Sequence, residues 1–417
     1  MMADRSGVGA DVRGAALLKP QGRLGFAGLV ALIAISNTIV PFSLDMYTPA
    51  VPELPAYFST TPAVVNLTIL GFYLAFAVGI LLFGPLSDKY GRKPVMVAGL
   101  LAYAAGGALC ALSETIETLI AARVVEALGA GAIISVSTAL VKDSFAPQIR
   151  SKILAVLQIL QVVGPVAAPL LGGVILLFGT WHTTFWVLAA LGVVCLALAS
   201  LLQETVAPEE RTQGSPLASI ARLGTVAQNK GFDAFLLVMS LFSVPFMAYI
   251  ASASYVYVDF FGLSQQAYTY FFAATAALTV VGPVIYLRFE HSIRPRPFVR
   301  AMILAALAAG VLLLAVGERS PFLFCGCFLA FAVCEAIIRP CGVNILLSQH
   351  KGDAGSASAL INFTANVFGS LGMALIMLPW PDFVVGLAAL VAICMGLALA
   401  LLAAIRRVGA LKVQGLD

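Results

Sequence analysis

Apolar residues run through this chain in blocks too long for a half-buried surface helix. Twelve such blocks lie near 24–51, 62–85, 94–113, 116–141, 151–178, 183–203, 232–258, 267–287, 298–317, 321–347, 355–379 and 382–405, separated by short polar or Gly/Pro breaks. About 20 apolar residues in a helix cross the hydrocarbon core of a bilayer. The pattern therefore predicts an all-α membrane protein of 12 transmembrane helices. The longest and most polar break, 204–230, contains Glu204, Pro208, Glu209, Glu210, Arg211 and Pro216. It divides the blocks six and six, a layout in which two parallel repeats flank a central site. The expected organisation is a tail (1–23), a six-helix bundle (24–203), a linker (204–230), a second, pseudo-symmetric six-helix bundle (231–405) and a closing tail (406–417).

Charge turns this pattern into an orientation. Counted over alternating breaks, 21 Lys and Arg residues fall on the side of the N-terminus and one, Arg319, on the other; Arg123 and Arg339 lie within spans. Basic residues collect in cytoplasmic loops, so both termini and the linker are expected in the cytoplasm. An odd number of spans would destroy the asymmetry. Residues 1–23 read as a cytoplasmic lead-in rather than a cleavable signal, because the apolar run that follows is long and carries Asn37 and Asp45.

Composition agrees. Hydrophobic residues make up 61% of the chain and charged ones 11%, against roughly 25% charged in soluble domains. The net charge of +4 is dispersed over short loops, which argues against nucleic acid as a partner. All seven cysteines fall inside apolar runs and read as small fillers. His182, His291 and His350 are scattered and without a ligand partner at useful spacing, so no metal site is expected. No G-x-x-x-x-G-K-[ST] loop is present, which removes direct use of ATP, and no cofactor or catalytic site is expected.

Two kinds of polar feature remain. One is the turn Gly84-Pro85-Leu86-Ser87-Asp88-Lys89-Tyr90-Gly91-Arg92-Lys93, with three cations and an acid between two apolar runs. The other is a set of ionisable residues within spans, which are costly there and are functional candidates by default. Asp45 lies roughly 9 Å below the outer end of span 1 and Arg123 roughly 10 Å below the outer start of span 4. If the spans are neighbours, the two can neutralise each other; apolar surroundings and a cationic neighbour act in opposite senses on a carboxylate's protonation. A proton-coupled carrier and a structural ion pair both fit. Glu126, one turn from Arg123, is a second protonatable site, a counter-ion for Arg123 or a group for a cationic ligand. Glu335 and Arg339 are spaced (i, i+4) just before Pro340 and Gly342, as a self-compensating pair or as groups at a helix break beside a cavity.

Weaker signals accompany these. Asn37, Gln158 and Gln161 add polar groups to spans 1 and 5, for ligand contact or helix–helix bonding. Tyr249, Ser252 and Tyr255 share a helical face in span 7, suited to a ligand that is apolar with a few polar contacts or, for Tyr255, to an interfacial belt. Gly164, Pro165, Pro169, Gly172 and Gly173 in span 5 mark a kinked, closely packed helix.

The turn Gly84–Lys93 matches G-x-L-[AS]-D-[KR]-x-G-[KR]-[KR] without gaps. With the span count it makes the chain resemble transporters of the major facilitator superfamily. The D-x-Y-x-P-x-x-P run at Asp45–Pro52 and the span 5 run resemble, more narrowly, the twelve-span drug:proton antiporters of the bacterial chloramphenicol and bicyclomycin resistance branch. The resemblance implies a monomer in the bacterial cytoplasmic (inner) membrane that exports small amphipathic molecules against protons by alternating access. It implies Asp45 as the main proton and substrate carboxylate, with Tyr47 of the same run among the substrate contacts, and Arg123 as the buried arginine of span 4. Gly84, Asp88, Gly91, Arg92 and Asp143 would form a conformational latch. The chain departs from that branch at Glu126, where glutamine is usual, at Asn37, where some relatives carry an acid, and in the Glu335–Arg339 pair. An exporter of an endogenous metabolite (a siderophore, polyamine or sugar) is the alternative. A receptor or scaffold would need a signalling domain, which the 12 residues after span 12 do not supply.

Overall fold

Inside a bilayer an apolar block has no water to satisfy its backbone N–H and C=O groups, and closing them within a helix is the available solution. A computed structural model describes residues 17–19, 21–211, 229–289, 294–349, 354–407, 413 and 416. Most of the expected linker and tails, His291 and His350 lie outside these. In chain order the helices are α1 (Gly25–Asp45), α2 (Pro62–Tyr90), α3 (Arg92–Ala111), α4 (Ile116–Ser144), α5 (Pro147–Phe178) and α6 (Trp181–Ser200). They continue as α7a (Lys230–Ser240), α7b (Ser243–Tyr255), α8a (Gln265–Thr279), α8b (Val281–Phe289), α9 (Pro295–Val316), α10 (Pro321–Ser348), α11 (Ala354–Leu375) and α12 (Phe383–Arg407). Among the described residues, eleven spans are long and apolar enough to cross a membrane, and Val163–Phe178, within α5, is a further apolar stretch.

The interruptions follow from proline. Pro245 has no N–H to offer the carbonyl of Leu241, and α7a stops at Ser240 before the chain resumes as α7b. Pro283 stands in the same relation to Thr279, where α8a ends. After Asp45 the run Thr48–Glu53, with Pro49 and Pro52, tightens into a 3₁₀ turn followed by one short helical turn, Leu54–Tyr57. Residues 46–51, expected within span 1, thus lie beyond the end of α1 and not in a continuous helix with it.

By contacts the chain forms two compact units: Met1–Tyr47, Ala75–Ala168 and Ile175–Pro216 in the first, and Thr48–Leu74, Pro169–Val174 and Leu217–Asp417 in the second. In the first, α3 and α4 meet along a glycine seam. A Cβ on Gly129 would sit 2.5 Å from the backbone N of Tyr103, and one on Gly106 2.5 Å from the N of Glu126. Small residues let membrane helices approach closely, where van der Waals contact replaces the missing hydrophobic drive. In the second unit, Gly372 of α11 is pressed on the Val244 carbonyl of α7b, and Gly310 of α9 on Val391 of α12. Residues 48–74 are tied into this unit by Tyr268 Oη donating to Thr48 Oγ1 (3.0 Å), Gln265 Nε2 to Glu53 Oε1 (2.5 Å) and Asn66 Nδ2 to the Met373 carbonyl (2.7 Å).

Candidate functional site

The start of α4 is set by Thr115, whose hydroxyl accepts from the Thr118 N–H while the Thr118 side chain returns the bond to the Thr115 backbone. From there Arg123 and Glu126 stand one turn apart and are both fully buried, with Nη1 to Oε2 at 2.8 Å. The guanidinium lies 5.5 Å from the ring centres of both Tyr47 and Phe185, so a cation excluded from water is faced by two aromatic quadrupoles. Cys110 Sγ donates to Glu126 Oε2 at 3.7 Å. Ser43 also faces that carboxylate and bonds Tyr103 Oη at 2.8 Å. Gly106 makes this possible, since any side chain there would collide with the α4 backbone at Glu126. Asp45, 5% exposed, is the last residue of α1 and stands two positions before Tyr47.

The first unit thus holds Arg123 and Glu126 in one aromatic-walled site, with Asp45 buried at the end of α1 in the same unit. Of the pairings open to Arg123 from sequence, the structure forms the one with Glu126. A dry pair of this kind contributes little net stability when whole and is costly when half of it is removed. Its chemistry is that of a proton acceptor and its counter-ion held apart from solvent.

The other candidates fall in different places. Asn37 is buried and its amide nitrogen bonds the Ile33 carbonyl (2.8 Å) and Ser137 Oγ (2.9 Å), so it ties α1 to α4. The side chains of Gln158 and Gln161 lie outside the described residues. Gly164 packs on Pro41 of α1, where a Cβ would come within 2.6 Å of the ring; Gly173, beyond Pro165, Pro169 and Gly172, faces Thr269. Tyr249 is buried and stacked on Phe328 at 3.8 Å, and Tyr255 on Phe383 at 5.5 Å. The Ser252 hydroxyl is turned back on the Ala248 carbonyl (2.8 Å). This stripe packs the core of the second unit instead of lining an open cleft, and Tyr255 is not on an exposed belt.

At the α2–α3 turn, Arg92 bridges two acids: Nη1 to Asp88 Oδ1 at 2.5 Å and Nε to Asp143 Oδ2 at 2.9 Å. Nη1 also donates to Ser87 Oγ at 2.6 Å. Gly84 faces Ser135 of α4. Glu204, just past α6, was not visible as part of this group from sequence. Its carboxylate accepts the backbone N–H groups of Arg92 (2.9 Å) and Lys93 (3.1 Å), capping α3, and those of Thr205 and Val206 as well. Gly91 is required twice over. Its φ is +103°, and a Cβ would stand 2.4 Å from Glu204 Oε2.

Among the described residues no group of three His, Cys, Asp or Glu could hold a metal ion. Long apolar helices around a buried charge site, with helices broken in the second unit, define a multi-pass membrane transporter of small molecules and not an enzyme. The profile described as Major Facilitator Superfamily matches residues 33–373, and the chain belongs to that superfamily. It is 31% identical over 355 residues to an uncharacterized MFS-type transporter, YdgK, of Bacillus subtilis, covering 84% of this chain and 87% of the relative. It is 30% identical over 300 residues to a chloramphenicol resistance protein of Pseudomonas aeruginosa, covering 71% and 70%. In fold it is similar to the peptide transporter POT in complex with sulfate, with a TM-score of 0.73 at 16% identity over 96% of this chain and 99% of that one.

Proposed function

We propose that this chain exports small amphipathic molecules in exchange for protons across the bacterial cytoplasmic membrane, by alternating access, with both termini in the cytoplasm. The observation that carries the reading is the fully buried Arg123–Glu126 pair, in the same unit as the buried Asp45. The relative named for chloramphenicol resistance supports the export direction and the cargo class. Relatives named as a bicyclomycin resistance protein homolog of Haemophilus influenzae and multidrug resistance protein MdtL of Escherichia coli support them too.

In this mechanism a proton arriving on Glu126 removes the charge that holds Arg123. The guanidinium then turns its donors toward Asp45, whose segment already wraps it through Tyr47. Ligand entry reverses the exchange and sends the proton off. Moving one charge through 100 mV is worth roughly 2.3 kcal/mol. A neutral cargo exchanged for one proton uses that drive, whereas a monovalent cation exchanged for one proton draws on the pH gradient alone.

Transport by purified protein in proteoliposomes under an imposed pH gradient tests the scheme, with chloramphenicol as probe. Asp45→Asn and Glu126→Gln are each expected to lower gradient-driven uptake at least about tenfold, equivalent to about 1.4 kcal/mol. Undiminished gradient-driven transport in both variants would sink the mechanism.

A further inference from the structure

The exchange scheme leaves two charged groups aside. Glu335 and Arg339 of α10 approach no closer than 3.8 Å and line a concavity of about 50 Å³, well below what a small-molecule ligand fills. The other group, the Arg92 cluster of the first unit, is approached from a direction that no local pattern reveals. The described residues ahead of α1 are bonded onto the chain beside it. Leu17 pairs with Phe145 in an isolated antiparallel bridge, and the Leu18 N–H donates to the Ser144 carbonyl at 2.8 Å. Lys19 Nζ donates to the Thr205 carbonyl. Gln21 is buried and grips the backbone of Gln203 twice: Nε2 donates to the Gln203 carbonyl (3.1 Å), and the Gln203 N–H donates to Oε1 (2.8 Å). The Gly22 N–H donates in turn to Gln203 Oε1 at 3.3 Å.

The last carbonyls of a helix have no partner within it, and the chain beyond two helix ends is where these contacts fall. α4 stops at Ser144, where Phe145 turns extended (φ −115°, ψ 139°), which leaves the Ser144 carbonyl to the Leu18 N–H. Arg150 Nη2 serves the neighbouring carbonyls of Lys142 (2.6 Å) and Phe145 (3.3 Å). Phe145 itself is buried, edge-on to Phe26 of α1 at 5.7 Å. The chain leaving α6 is bound through the Gln203 and Thr205 carbonyls, across sequence separations of 182 and 186 residues.

The gripped positions are the chain neighbours of two acids. Ser144 follows Asp143, which takes Arg92 Nε at 2.9 Å. Gln203 and Thr205 flank Glu204, whose carboxylate accepts the N–H groups of Arg92 and Lys93. We propose that residues 17–19, 21 and 22 form a strap that holds the Arg92 cluster closed, and that lifting the strap lets the cluster open. Seated, it fixes the backbone beside Asp143 and Glu204, and the two carboxylates keep Arg92 and the start of α3 in register. Lifted, the Ser144, Gln203 and Thr205 carbonyls pass to water and both acids are released to move with their segments. Hydrogen bonds exchanged for water cost little each, so the strap can lift without unfolding the unit. The proposal rests on this geometry and not on the export reading.

Amide hydrogen exchange on the full-length protein in lipid nanodiscs, with no cargo present, tests it by comparing the wild type with Lys19→Gln/Gln21→Ala. Peptides covering the Arg92 and Lys93 N–H groups should exchange at least about tenfold faster in the variant, and peptides of α9 should not change. In a Glu204→Ala background those N–H groups have already lost their cap. Adding the strap substitutions there should raise exchange by less than about twofold, whereas two independent roles would multiply. Unchanged exchange at Arg92 and Lys93 in the strap variant, a rise shared equally by α9, or full multiplication in the Glu204→Ala background would overturn the proposal. Proteoliposome uptake of chloramphenicol keeps the two readings apart. Localised exchange in the strap variant beside a wild type that transports nothing leaves the strap standing and removes export, and transport with unmoved exchange does the reverse.

Discussion

Arg123 and Glu126 show how much a single side chain can cost when it loses its partner away from water. Removing one charge strands the other in an apolar, aromatic-walled site, whereas removing both leaves two neutral groups of similar volume. Arg123→Gln should therefore destabilise the protein by about 3–5 kcal/mol. The double variant Arg123→Gln/Glu126→Gln should recover most of that loss, a coupling that thermal unfolding in detergent reads directly. A different residue-scale demand operates at Gly91. Gly91→Ala meets both a left-handed backbone and the Glu204 carboxylate. It should cost about 1–3 kcal/mol by the strain alone, more if Glu204 is pushed off the two N–H groups that it caps. The same unfolding measurement, compared with Glu204→Gln, separates strain from the lost cap.

At the scale of elements, the apolar blocks located the helices well because membrane burial leaves the backbone no other way to bond. Pro245 and Pro283 break helices that the apolar blocks had as single spans, each because its ring offers no N–H to the carbonyl four residues back. What periodicity did not carry was which face of a helix meets protein and which meets open space. Tyr249, Ser252 and Tyr255 share a face as expected, yet that face is packed against Phe328 and Phe383 and the Ser252 hydroxyl is spent on its own helix. Asn37, open from polarity alone to ligand contact or helix–helix bonding, is a tie to Ser137 in the structure. Glu204 was beyond reach, since no local pattern links a linker acid to a helix start more than a hundred residues earlier. The α3–α4 seam offers an element-scale prediction. Gly106→Val drives a branched side chain into the α4 backbone at Glu126. It should lower stability by about 1–3 kcal/mol and cut transport as well, read by unfolding and proteoliposome uptake on the same preparation.

At the scale of the molecule, the superfamily was legible in the Gly84–Lys93 turn, because that turn carries its own geometry: Asp88, Arg92 and Asp143 meet there, the grouping that the resemblance implied. The cargo was less legible, because it depends on side chains brought together from separate spans. Arg123 and Glu126 pair within α4, and Asp45 is buried at the end of α1 in the same unit. The proposed proton exchange therefore rests on the buried charges of the first unit, on one superfamily fold.

Its central claim is that ligand and proton exclude each other at Asp45 and Glu126. Proton release on ligand binding reads this without any transport step. Purified wild-type protein in weakly buffered detergent solution, given saturating chloramphenicol with a pH-sensitive dye present, should release protons. Asp45→Asn/Glu126→Gln should bind the ligand and release none. Saturating binding by the wild type with no proton release, or release undiminished in the double variant, would contradict the account.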